Sequence, residues 1–280
     1  MNSITDETKR RRSIYLLPNA FTTANLFAGF YAVVQAMNGR FEIAAIAIFA
    51  AMVFDGMDGR VARLTHTQSS FGEQYDSMSD MVSFGVAPAL VVYVWMLQSL
   101  GRWGWLAAFI YVVGAALRLA RFNTNIDVID KRFFQGLPSP AAAALVAGFI
   151  WLVVDNRISA QSATLAWVAF VITIYAGVSM VSNAPFYSGK TFALGRSVPF
   201  WVILVVVAGF VFVSSDPPVV LFGLFVVYGI SGWGTMVWRW RRARALTRQR
   251  RDAAEDTPHE TATIHVLPED AIHTIKPRDK

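Results

Sequence analysis

About eight apolar stretches run through this chain, each near the roughly 20 residues that a helix needs to cross a bilayer core, and they leave little sequence from which to build a water-soluble core. They fall at 17–37, 42–62, 77–98, 103–122, 139–155, 163–182, 198–214 and 217–238. Polar turns separate several of them: Asn38-Gly39-Arg40, Gly101-Arg102 and Ser214-Ser215-Asp216-Pro217. Composition agrees, since 16% of residues are charged and 55% hydrophobic, against about 25% charged in a soluble domain. The pattern predicts an all-α integral membrane protein, a polytopic bundle of about eight transmembrane helices.

Charge orients that bundle. With eight spans both termini share a side, and on that side lie Lys9 to Arg12, Arg60, Arg63, Arg118, Arg121, Lys131, Arg132, Lys190, Arg196 and the run from Arg239 to Arg251. The opposite loops hold Arg40, Arg102 and Arg157. The positive-inside rule therefore places the termini and the 63–77, 121–138 and 183–197 loops in the cytoplasm. The net charge of +6 does not form a separate basic domain, so it points to topology and anionic headgroups rather than to nucleic acid. Cysteine is absent, which excludes disulfides and thiolate metal sites. No small-residue cleavage pattern follows the first apolar run, so no removable signal peptide is expected. Residues 1–16 read as a polar basic segment, 17–238 as the transmembrane catalytic domain, and 239–280 as a basic juxtamembrane segment with a disordered cytoplasmic tail. The tail histidines His259, His265 and His273 lack tight ligand spacing.

Within this apolar frame four carboxylates stand out. The second span ends Phe54-Asp55-Gly56-Met57-Asp58-Gly59-Arg60-Val61-Ala62-Arg63, and the third begins Phe71-Gly72-Glu73-Gln74-Tyr75-Asp76-Ser77-Met78-Ser79-Asp80. Each acid in a membrane helix costs roughly 2.5–3.5 kcal/mol on insertion scales and needs a reason to be there. Asp55 and Asp58 are three apart and Asp76 and Asp80 four apart, so each pair shares a helix face. Two such helices facing each other would bring four carboxylates to one point, where divalent cations would relieve their repulsion. All-oxygen ligation without His or Cys suits Mg²⁺ or Mn²⁺ rather than zinc. Two ions roughly 3.5–4 Å apart would suit displacement at phosphorus. No EF-hand loop is present. Gly56, Gly59 and Gly72 remove bulk where helices pack closely or a nucleotide approaches backbone. Arg63 either snorkels to the interface or binds phosphate.

Together these residues spell D-x-x-D-G-x-x-A-R-x8-G-x3-D-x3-D from Asp55 to Asp80, which resembles the signature of the CDP-alcohol phosphotransferase family. The resemblance implies a six-helix membrane core, here with two further C-terminal helices, and a dinuclear metal site open to the cytoplasm. It implies that Asp55, Asp58, Asp76 and Asp80 bind two divalent cations and that Asp80 is also the general base. It implies that Gly59, Ala62, Arg63 and Gly72 hold the CDP moiety, with Ser69 touching the nucleotide and Asn19 and Thr22, after Pro18, as further contacts. A homodimer is likewise implied. Three more segments, Leu117 to Asn123, Phe134 to Pro140 and Val181 to Ser188, together with Met81 to Pro88, resemble the serine-using branch of the family. The implied reaction is phosphatidyl transfer from CDP-diacylglycerol to L-serine, releasing CMP. Something must hold the carboxylate of serine: Arg118 and Arg121 are three apart on a helix, with Asn123 following, and a paired fork suits a carboxylate. Anchoring at the interface or contact with lipid phosphate is the alternative for both arginines. Rival readings are a sister transferase acting on glycerol 3-phosphate, inositol phosphate or choline, a membrane cation transporter, and a structural membrane protein. A transporter would place acids near midplane on several helices, whereas these crowd one helix pair.

Overall fold

The fold is given by a computed structural model that describes residues 3–65, 67, 69–124, 133–156, 163–187 and 200–255. The predicted spans are helical. Helix α1 covers Ser3–Met37, α2 Phe41–Leu64, α3 Ser70–Asp80, α4 Ala87–Trp95, α5 Arg102–Thr124, α6 Ser139–Asp155, α7 Ala163–Val181, α8 Phe200–Ser215 and α9 Pro217–Glu255. A π-helical turn, Met81–Val86, joins α3 to α4, so that Ser70–Trp95 is one rod. Among the described residues, four helical stretches are long and apolar enough to cross a membrane: Ser70–Trp95, Arg102–Thr124, Ala163–Val181 and Pro217–Arg242. Helices α6 and α8 are apolar but shorter, while α2 carries Glu42 in its first turn and Asp55, Asp58, Arg60 and Arg63 in its last turns. The protein is an all-α polytopic membrane protein.

Small residues set the packing. Helix α1 buries Ala28, Ala32 and Ala36 against Ala44, Ala45, Ile48 and Ala51 of α2, a spacing that lets two backbones approach closely in lipid. Helix α6 is buried nearly all round, from Ala141 to Ile150, and occupies the middle of the bundle beside α2 and α7. The large exposed apolar side chains, among them Phe30, Trp103, Phe109, Val171, Phe200 and Phe210, form the surface that lipid would cover.

Helices α5 and α7 approach closely through glycines. A Cβ added at Gly114 would press on the Gly177 carbonyl, and one at Gly177 would sit 2.9 Å from the Tyr111 Cα. Real Cβ atoms do not approach that closely, so the helices must separate. Gly177→Leu is therefore expected to destabilise the protein by at least the ~1–3 kcal/mol typical of overpacking. Thermal unfolding in detergent checks this; an unchanged midpoint would show that the α5–α7 contact is dispensable.

A short antiparallel pair interrupts the helices: β1 (Phe133–Gln135) meets β2 (Pro185–Tyr187) with Phe134 opposite Phe186. The sequence carried no strand signal at either place. Two compact units are distinguished, Met1–Val237 and Trp238–Lys280. In the second, residues 239–255 are helical where a basic juxtamembrane segment leading into a disordered tail was expected. The physical reason is composition: Ala, Arg, Leu and Gln are good helix formers, and extension of an existing helix avoids the cost of nucleation. There the Arg242 guanidinium lies 5.2 Å from the Trp238 ring centre and Arg244 lies 3.3 Å from that of Trp240. Lys131, Arg132, Lys190, Arg196 and the tail from 256, with its three histidines, lie outside the described residues.

Candidate active site

Helices α2 and α3 both pack against α1, and their acids meet beside it. Asp55 and Asp58 project from α2, and Asp76 and Asp80 from α3. One carboxylate oxygen each from Asp55, Asp76 and Asp80 lies within 4.8 Å of the others. Asp58 adjoins Asp55 and Asp76 and is held by the Thr22 hydroxyl, which donates to its Oδ2 at 2.9 Å. Asn25, fully buried on α1, donates from Nδ2 to Asp80 Oδ1 at 3.0 Å. The Oδ1 atom of Asp76 is buried with no hydrogen-bond partner. Convergent oxygens, one of them unsatisfied, fit a hard divalent cation, and the absence of nitrogen or sulfur donors in the cluster fits Mg²⁺ or Mn²⁺ better than zinc.

The backbone behind these acids is pinned to α1. Ser79 Oγ donates to Thr22 O at 3.0 Å and Ser83 Oγ to Asn25 O at 2.9 Å. The π-helical turn begins directly after Asp80, and the hydroxyl of Tyr111, buried on α5, donates to Phe84 O within it at 2.9 Å. Thr23 Oγ1 and Tyr75 Oη share a further hydrogen bond of 2.9 Å. These contacts hold α3 in the rotation that turns Asp76 and Asp80 toward α2.

Beside the acids opens a cavity of about 200 Å³. It is lined by Asn19, Thr22, Gly59, Ala62, Arg63, Ser69 and Gly72, all expected from the sequence, and by Asp58 and Asp76. Ser69 caps α3, its hydroxyl accepting from Gly72 N at 3.1 Å. A Cβ at Gly72 would lie 3.2 Å from Ser69 Oγ and 3.7 Å from Asn19 Oδ1, so glycine keeps this wall open. Pro18, Thr67 and Glu73 complete the lining; sequence reasoning did not place Thr67 or Glu73 there.

The expected arginine fork is not formed. Arg118 is buried; its Nη1 donates to Ser139 Oγ at 2.8 Å and its Nε has no partner. Asp80, Tyr228, Arg121 and Asp55 lie within electrostatic reach of it. Arg121 instead spends its guanidinium on carbonyls at the end of α7 and on Asn183. Arg121 faces away because α7 ends beside it, and unpaired helix-terminal carbonyls attract a cation. Asn123 is also engaged, its Nδ2 donating to Ser77 Oγ at 3.1 Å. Asn25 and Ser139 were missed, although a polar residue inside an apolar helix was the available signal for Asn25.

The model of the CDP-alcohol phosphatidyltransferase family matches residues 15–175, more than half of the chain and all of the acidic cluster. The chain belongs to this family. A Helicobacter pylori relative, CDP-diacylglycerol–serine O-phosphatidyltransferase, is 34% identical over 221 residues, covering 79% of this chain and 92% of the relative. A protein of the same name from Methanocaldococcus jannaschii is 32% identical over 221 residues, covering 78% and 94%. A third, from Mycobacterium leprae, is 40% identical over 156 residues, about half of each chain. In this CDP-alcohol phosphatidyltransferase, Asn183 in the turn before β2 and Tyr228 of α9 lie beyond the family match yet adjoin Arg121 and Arg118 respectively.

Proposed function

We propose that this chain transfers the phosphatidyl group of CDP-diacylglycerol to L-serine, giving phosphatidylserine and CMP. The observation that carries the reading is the convergence of Asp55, Asp76 and Asp80 beside the cavity between Asn19 and Asp76. The serine-specific names of relatives matched over nearly their whole length support the acceptor.

In this reading Asp55, Asp58, Asp76 and Asp80 hold two divalent cations, Mg²⁺ or Mn²⁺. When bound, these cations offset charge on the pyrophosphate and on the departing phosphate. The cavity takes the cytidine monophosphate portion, with Gly59 and Gly72 admitting it closely and Arg63 meeting phosphate. Asn25 fixes one oxygen of Asp80 and leaves Oδ2 to accept the proton of the serine hydroxyl. The serine oxygen then bonds to the phosphorus attached to diacylglycerol, the bond from that phosphorus to the CMP oxygen breaks, and CMP leaves with the electron pair. Arg118, charged and with Nε unsatisfied, meets the serine carboxylate. Catalysis resides in 17–238, flanked by the basic segments 1–16 and 239–280. The protein works as a homodimer in the cell's inner membrane, with both termini and the site cytoplasmic.

Purified protein given CDP-diacylglycerol and labelled alcohols is expected to release CMP with serine, to stop when a chelator is added, and to recover with Mg²⁺ or Mn²⁺. CMP release driven by another alcohol and indifferent to serine would sink the serine assignment. Full activity in chelator would remove the cations.

A further inference from the structure

The guanidinium of Arg121 gathers acceptors from separate segments. Nη1 donates to Val181 O and to Asn183 Oδ1, both at 3.1 Å. Nη2 donates to Met180 O at 3.0 Å, with Gln135 O at 3.3 Å and Ser182 O at 3.4 Å. Met180 and Val181 close α7, so their carbonyls have no partner within the helix, and a planar five-donor fork suits several of them at once. Gln135 closes β1. One side chain on α5 thus binds the end of α7 to the end of β1.

The residues that follow β1 inherit this placement. Gly136 N donates to Ala184 O at 3.0 Å and Leu137 N to Ser179 O at 2.9 Å. Gly136 has φ +81°, and a Cβ there would press on Met180 O and lie 3.0 Å from Arg121 Nη2, so the bend accepts only glycine. Ser139 follows at the start of α6, fully buried, and accepts from Arg118. Arg118 stands one turn before Arg121 on the same helix. The contacts therefore close a ring from α5 through β1, Gly136 and Ser139 back to α5. Helix α9 braces it: Thr235 Oγ1 donates to Pro185 O at 2.9 Å and Trp233 Nε1 to Ser179 Oγ at 3.2 Å.

We propose that Arg121 is a positioning residue for the acceptor side of the site: it touches no substrate, but by clamping β1 to the end of α7 it fixes Ser139 and so aims Arg118. The proposal rests on the reading that Arg118 meets the acceptor's carboxylate. A lysine at 121 keeps the charge but offers a point donor in place of the fork, and Asn183→Ala removes one acceptor while leaving the arginine.

Steady-state CMP release, with serine and CDP-diacylglycerol varied in turn, tests it alongside the melting temperature. Arg121→Lys is expected to raise the KM for serine about tenfold, the scale of one charged hydrogen bond, with the KM for CDP-diacylglycerol unchanged within about twofold. Asn183→Ala is expected to raise the KM for serine by about threefold, the scale of one neutral hydrogen bond, and it serves as the test if the lysine variant does not fold. A lower melting temperature with the serine KM unchanged, or both KM values rising together, would overturn the positioning role. If wild-type enzyme releases no CMP with serine, the acceptor assignment fails instead, and the same KM split is then read with whichever alcohol does drive release.

Discussion

Asp80→Asn is expected to lower kcat by roughly 10²–10⁴-fold, the usual contribution of a positioned general base, while much of the binding of CDP-diacylglycerol survives. The amide is nearly the same shape as the carboxylate, and Asn25 Nδ2 can still donate to an oxygen at the Oδ1 position, now 3.0 Å away. Ser79 and Ser83 still tie the helix to α1. What disappears is the ability to take a proton, together with one anionic oxygen of the cluster. The cavity that would receive the nucleotide is lined without Asp80, so donor binding is retained. CMP release and equilibrium binding of labelled CDP-diacylglycerol, measured on the same preparation, separate the two effects. Wild-type turnover in the variant would remove Asp80 as the base. Asp55→Asn provides the contrast: it should raise the metal concentration needed for half-maximal activity without the same loss at saturation.

Arg118→Ala should raise the KM for serine by about 10- to 100-fold, as expected for loss of a charge-assisted hydrogen bond to a carboxylate, with a much smaller change for CDP-diacylglycerol. The guanidinium is buried, has a hydrogen-bonding nitrogen without a partner, and lies between Ser139 and the acidic cluster. An unsatisfied buried donor is costly unless a ligand completes it. Kinetics with each substrate varied in turn check the assignment. Equal effects on both substrates would instead place Arg118 on the lipid donor.

The acid cluster was legible because it depends on helical spacing alone. Spacings of three and four residues, either side of the 3.6-residue turn, put Asp55 with Asp58 and Asp76 with Asp80, and the pairing of consecutive helices did the rest. The cavity lining was expected from the resemblance to the family, and Gly59, Ala62 and Arg63 continue the α2 face. Spacing failed at Arg121. It places two arginines on one side of α5 but says nothing of which carbonyls a long side chain meets, and α7 ends sixty residues away in sequence. The pairing of β1 with β2 was hidden too, because two three-residue strands held by a glycine bend and an arginine carry no alternation. The π-helical turn after Asp80 departs from the 3.6-residue period on which the reading relied. Residues 239–255 were misjudged because high charge and scarce apolar residues resemble a disordered segment even when each residue favours a helix.

The division of the site along the chain sets an order for its assembly during synthesis. All residues lining the donor cavity fall between Pro18 and Asp76, so that side can form once the first three helices have left the ribosome and paired in the bilayer. The acceptor side must wait for Ser139, Asn183 and the bracing Thr235. At the usual 5–20 residues per second that interval is on the order of ten seconds. On the proposed reading, a growing chain acquires its grip on nucleotide well before it can place an acceptor, and a ribosome stalled between the two would leave a membrane intermediate able to bind donor but unable to consume it.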